Sequence, residues 1–166
     1  MGAVGTVDVA GIEAERERLR GEYLQAERPA STARGLHHVA VLCADVETTI
    51  RFYQGVLGFP LTEIVGNRDY EGSSHFFFDI GNGNLLAFFD FPGLELGAYA
   101  EVLGGLHHMA ISMEAERWAE VKGRLDDASI EYLEESGTSL YFRDPDGTRV
   151  ELIADPLGEM YGLTVL

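Results

Sequence analysis

"GLHHVAVLCADVETTIRFYQGVLGF", residues 35–59, holds a strand and a helix back to back. "LHHVAVLC" is apolar and rich in β-branched residues, which suits a half-buried strand. Asp45 stands where a helix N-cap belongs. After it Val46, Ile50, Tyr53 and Leu57 fall on one apolar stripe, and Gly58 stops the helix. Seventy residues later, "GLHHMAISMEAERWAEVKGRL" (residues 105–125) opens on the same Gly-Leu-His-His and repeats the order, with Trp118, Val121, Leu125 and Ala128 on one helical face. Self-similarity at this spacing points to a duplicated module.

The segments around this pair extend the repeat. "FPLTEIV" (59–65), "HFFFDIG" (75–81) and "NLLAFFDF" (84–91) read as strands, the last two joined by the hairpin signal "NGN". In the second half "IEYLEE" (130–135), "SLYFRD" (139–144) and "RVELIAD" (149–155) take the same places, with "DPDG" (144–147) as a turn. Each half therefore reads β-α-β-β-β. The expected fold is α+β: two tandem βαβββ modules, residues 35–91 and 105–155, forming a curved mixed sheet around a cavity. "PGLELGAYAEVLGG" (92–105) reads as a connector with a short helical turn, and residues 156–166 as a tail. Residues 1–34 read as an extension. In it Ile12, Leu19, Tyr23 and Ala26 lie at helical spacing, suited to covering the domain or a partner subunit.

Composition narrows the function. The 166 residues carry a net charge of −16, which repels phosphate backbones and anionic membranes, so neither nucleic acid nor a membrane is an expected partner. The single cysteine, Cys43, allows no intramolecular disulfide and reads as a buried, inert thiol. No apolar stretch is long enough to span a bilayer, and no secretion signal opens the chain, so a cytoplasmic protein is expected.

Strand alternation brings chemistry together. His38, Ala40 and Leu42 share one face of the first strand, and His108, Ala110 and Ser112 share the matching face of its repeat. The opposite faces, with Val39, Val41, Met109 and Ile111, suit packing under the helices. Small residues at Ala40 and Ala110 leave room for the two histidines to share a space if the modules pair face to face. Glu151 interrupts an otherwise apolar strand, and an unpaired buried carboxylate costs several kcal/mol, about 3–5. His38, His108 and Glu151 together make a two-imidazole, one-carboxylate set with open positions, suited to Fe(II) or Mn(II) and also able to hold Zn(II) or Ni(II). The alternative is two satisfied core histidines and a Glu151 paired with Arg149 or Arg143.

The chain resembles the vicinal oxygen chelate superfamily of glyoxalases, extradiol ring-cleaving dioxygenases and fosfomycin-resistance proteins. The likeness covers about residues 35–155 and rests on the two quoted stretches and on "LYFRDPDGTRVELI", residues 140–153. It implies a divalent-metal-dependent enzyme with a small-molecule substrate carrying vicinal oxygens. The ligands would be the first-strand His of each module and the last-strand Glu of the second: His38, His108 and Glu151. Among the subfamilies the extradiol dioxygenases are closest, because they place a Tyr ten residues before the Glu, as Tyr141 stands to Glu151. Two departures are visible. Ala87, opposite Glu151 in the repeat, cannot be the fourth ligand of a glyoxalase I site. Gly83 and Asn84 stand where the dioxygenases carry an acid–base His, and His75 matches a structural position. Isomerase, lyase or thiol-transfer chemistry on the same scaffold, and a metal-free binding protein, are the alternatives. The resemblance also implies a homodimer.

Overall fold

The computed structural model describes residues 7–24 and 27–166 and divides the chain into two compact units, Met1–Arg34 and Gly35–Leu166. In the first unit α1 spans Val9–Tyr23. The Asp8 carboxylate accepts a hydrogen bond from the Gly11 amide at 3.0 Å and caps its N-terminus. Glu13–Arg16, Glu15–Arg18 and Arg18–Glu22 pairs line its surface at helical spacing. None of its residues is buried, Ile12, Leu19 and Tyr23 included. Ala26 lies outside the described residues.

The second unit carries the expected duplication. Its first module runs β1 (His38–Leu42), α2 (Val46–Ile50), β2 (Leu61–Gly66), β3 (Ser74–Asp79) and β4 (Leu85–Phe89). The second runs β5 (Met109–Ser112), α3 (Ala115–Asp127), β6 (Tyr132–Glu135), β7 (Ser139–Arg143) and β8 (Arg149–Ile153). Each module forms its own four-stranded sheet, ordered β1-β4-β3-β2 and β5-β8-β7-β6. In both, the first strand pairs parallel with the last and the other pairings are antiparallel. That mixed pattern follows from the helix: a crossover returns the chain parallel to its start, whereas tight turns reverse it.

The registers match between modules. Ala87 lies between Ala40 and Phe77, and Glu151 lies between Ala110 and Tyr141. Asp45 caps α2 by accepting from the Thr48 amide at 2.8 Å. After Ile50 the helix widens into a π-helical turn, Arg51–Val56, which the sequence stripe does not foretell. This turn carries the adjacent Phe52 and Tyr53 into the interior, edge to face at 5.1 Å. Gly58, at φ 78°, ends it as expected.

One apolar core joins the two modules. Phe76, Phe78 and Phe88 of the first, and Leu140, Val150 and Leu152 of the second, are fully buried in it. Phe52 meets Phe142 across the seam at 6.0 Å. The Tyr53 hydroxyl donates to Asp144 at 2.9 Å, and the Ala44 amide to Asp146 at 3.1 Å. Burial pushes the Asp144 carboxyl above the usual carboxylate range, although donors from Tyr53, Thr148 and Asp146 pull against it. Cys43 is buried too, and its thiol is pushed up to about 11, chiefly by burial.

One expectation is corrected. The connector between β4 and β5 forms turns but no helical turn; two glycines at positive φ, Gly93 and Gly104, favour turns there. Within the tail a small hairpin forms, β9 (Glu159–Met160) with β10 (Leu163–Thr164), turned by Tyr161 and Gly162 at φ 50° and 77°.

Candidate functional site

β5, β7 and β8 build the site on the face of the second sheet turned away from the core. Alternation puts His108, just before β5, beside Glu151 of β8, and the His108 Nε2 stands 3.1 Å from the Glu151 Oε2. Two ligand atoms at right angles on one ion, each about 2.1 Å from it, stand about 3.0 Å apart. The pair therefore fits neighbouring positions on a single cation. Glu151 is only 3% exposed. Its other oxygen accepts from the Ser139 hydroxyl at 2.6 Å and from the Tyr161 hydroxyl at 3.4 Å. The hydroxyls thus hold one oxygen of Glu151 and leave the other turned towards the imidazole.

Tyr141, paired with Glu151 in register, joins this cluster. Its ring meets His108 edge to face at 5.9 Å, and its hydroxyl lies 3.0 Å from that of Tyr161. Burial, helped by Tyr161 and the nearby Glu151 charge, pushes the Tyr141 phenol well up, so it stays a hydrogen-bond donor at neutral pH. Arg143 and Arg149 do not pair with Glu151. They meet Glu101 of the connector, at 3.6 and 2.7 Å. A cavity of about 850 Å³ opens in front of His108, Tyr141, Arg143 and Arg149.

His38 stands on the corresponding face of the first sheet, in hydrogen-bond reach of His37 at 2.9 Å. Beside it His75 stacks on Phe89 at 3.8 Å, and Ala87 occupies the place of Glu151. The His75 Nε2 is buried with no hydrogen-bond partner among the described residues. Burial, then the nearby His38, lowers the His75 pKa. Both histidine faces turn away from the shared core. Among the described residues no group of three His, Cys, Asp or Glu side chains lies close enough to hold one ion. One chain thus brings together His108, Glu151 and Tyr141 and keeps His38 apart.

The sequence reading missed Ser139 and Tyr161. Ser139 carries a signal in retrospect, two residues before Tyr141 and so on the same strand face. Tyr161 carries none, because its place depends on how the tail folds back. Phe76, Phe78 and Phe88 all fill the core.

A family model described as "Glyoxalase/Bleomycin resistance protein/Dioxygenase superfamily" matches residues 35–152. The candidate ring-cleaving dioxygenase MhqA of Bacillus subtilis (strain 168) is 32% identical over 143 residues, which is 79% of this chain and 43% of that protein. The chain thus spans less than half the length of that relative. Glyoxylase I 4 of Arabidopsis thaliana is 34% identical over 125 residues, 70% of this chain and 68% of its own. Among solved structures, a fosfomycin resistance protein, FosX, of Listeria monocytogenes, complexed with Mn(II) and 1S,2S-dihydroxypropylphosphonic acid, shares the fold. It has a TM-score of 0.56 at 23% identity, over 76% of this chain and 96% of that one. No helix among the described residues is long and apolar enough to cross a membrane.

Proposed function

The chain belongs to the glyoxalase/bleomycin resistance protein/dioxygenase superfamily, and from that premise we propose that it is a divalent-metal-dependent enzyme of extradiol-dioxygenase type. Its substrate is a small molecule with two vicinal oxygens, and the ion is Fe(II) or Mn(II), with Zn(II) and Ni(II) as alternatives. The observation that carries the reading is the His108–Glu151 pair, 3.1 Å apart with the carboxylate buried. His108 and Glu151 hold the ion from one chain. His38 completes the set from a second copy, because within one chain its face turns away from theirs.

A bound ion supplies Lewis acidity and, as Fe(II) or Mn(II), the redox partner that oxygen chemistry needs. The protein's own groups do the rest. Ser139 fixes the rotamer of Glu151 and leaves one oxygen for the ion. Tyr141 donates its proton in a hydrogen bond to a substrate oxygen. Tyr161 closes the side of the cluster towards the tail. Gly83 and Asn84 supply no acid–base group, so proton transfer at that place falls to water or to the substrate.

Metal analysis of protein purified without oxygen tests the site. About one Fe or Mn per chain is expected, lost in Glu151→Gln. Sharing between copies has its own test. His38→Ala and Glu151→Ala chains, each inactive alone, are unfolded and refolded together. A site shared between copies restores about a quarter of wild-type metal content, because half of the dimers are mixed and each holds one intact site. A site within one chain restores none.

A further inference from the structure

We propose that Arg143 and Arg149 form a seat for an acidic group on the substrate, and that Glu101 holds this seat in the ligand-free chain. This rests on the metal-site reading above and names the substrate class: a vicinal-oxygen compound that also carries a carboxylate.

The strand pattern sets the geometry. Arg143 and Arg149 are register partners across β7 and β8, as Tyr141 and Glu151 are. Each arginine lies two residues from its strand's site residue, hence on the same face and about 6–7 Å along the strand. The sheet therefore presents two rows, one with Tyr141 and Glu151, the other with the two guanidinium groups. Both arginines line the same cavity as His108 and Tyr141. A diol held at the first row would extend its far end to the second.

The arginines are aimed by their neighbours. Arg143 donates to the Gly147 carbonyl at 2.9 Å and lies over the Tyr99 ring at 5.2 Å. Arg149 reaches the His107 Nε2 at 3.2 Å. Between them sits one carboxylate, that of Glu101. At the pair itself one negative charge faces two positive ones, which leaves a local surplus of positive charge, while Glu131 and Glu135 line another part of the same cavity. Guanidinium groups in this arrangement suit a planar carboxylate. Glu101 shows which chemistry the seat takes.

Glu101 is also easily displaced. It belongs to the connector, which has neither helix nor strand at that point. The three side chains are 30–47% exposed, and ion pairs that wet add little to folding. A clamp that only anchors the connector is therefore a weak reason for two arginines in the cavity.

Calorimetry on the full-length Mn(II)-loaded protein, without oxygen, separates the readings. The probes are 3,4-dihydroxybenzoate, 4-methylcatechol and benzoate. The acid is expected to bind about tenfold more tightly than 4-methylcatechol. Arg149→Met and, separately, Arg143→Met should close that gap. Glu101→Gln should widen it, because the competing carboxylate is gone. Equal affinity of the two diols in the wild type overturns the proposal. So does a Glu101→Gln variant that weakens both diols alike, which is the behaviour of a structural clamp. If neither diol binds, the metal-site reading fails and benzoate decides the seat. Benzoate binding that is lost in Arg149→Met supports the seat, and no benzoate binding overturns it.

Discussion

In the first module the strand position beside Ala40 is Ala87, and its antiparallel neighbour is Phe77; in the second module the same two places hold Glu151 and Tyr141. The backbone pairing is the same in both. The surroundings are not. Glu151 is supported by His108 and by the hydroxyls of Ser139 and Tyr161. Ala87 is surrounded by an aromatic wall in which the buried ring nitrogen of His75 finds no partner among the described residues. The comparison teaches that a duplicated scaffold fixes where a side chain points, whereas its neighbours decide whether a charge is tolerated there. The first sheet offers His38 and His75 among aromatic residues, and the second carries the acid, the phenols and the cations.

Placing the acid on the wrong sheet breaks the comparison most directly. Ala87→Glu should lower stability by about 1–3 kcal/mol in urea titrations without metal, because the buried Ala87 lacks counterparts of the Ser139 and Tyr161 hydroxyls and has only the imidazoles of His38 and His75 on its face. An unchanged midpoint would show that the first face tolerates charge as well as the second. The seam between modules comes next. Tyr53→Phe removes a buried donor to Asp144 and should cost about 1–3 kcal/mol by the same assay. A loss near zero would mean that the Thr148 and Asp146 amides satisfy Asp144 without it.

The pH dependence of that seam sharpens the picture. Asp144 has a folded pKa raised above its unfolded value by burial. Its favourable contribution is full below the ordinary carboxylate range, about 3.9, and is lost as pH rises through the folded pKa. The stability difference between wild type and Asp144→Asn should therefore shift in favour of the variant as pH rises from about 4 towards neutrality. A difference that is flat with pH would remove the raised pKa. The smallest effect compares the two helix starts. The Asp45 side chain caps α2, whereas Glu114 at the start of α3 makes no such bond. Asp45→Ala should lower the melting temperature and Glu114→Ala should leave it in place. Equal shifts would mean that capping is not what separates the two helices.

The duplicated motif made much of this legible. Two Gly-Leu-His-His strands with apolar stripes after them announce two βαβββ units, because period-two and helical patterns are local properties of the chain. Alternation also settles that His108 and Ala110 share a face, and that Glu151 shares one with Arg149. The buried, inert Cys43 follows from its apolar neighbours. The connector and the tail were harder. Their apolar residues, among them Leu96, Val102, Leu157 and Leu163, show no clear period, and glycines at positive φ decide their turns.

What the sequence determined by itself is thus the two modules, their strand order and the residue types offered to the site. Only the tertiary structure decided which of them meet. It paired Glu151 with His108 and not with an arginine, gave both arginines to Glu101, and brought Tyr161 back over the carboxylate from the tail. It also turned the His38 face away from the His108 face by packing both helices and both sheets on one core. The physical reason is that side-chain direction along a strand is set within the chain, whereas the packing of two sheets is set by which apolar faces bury each other best.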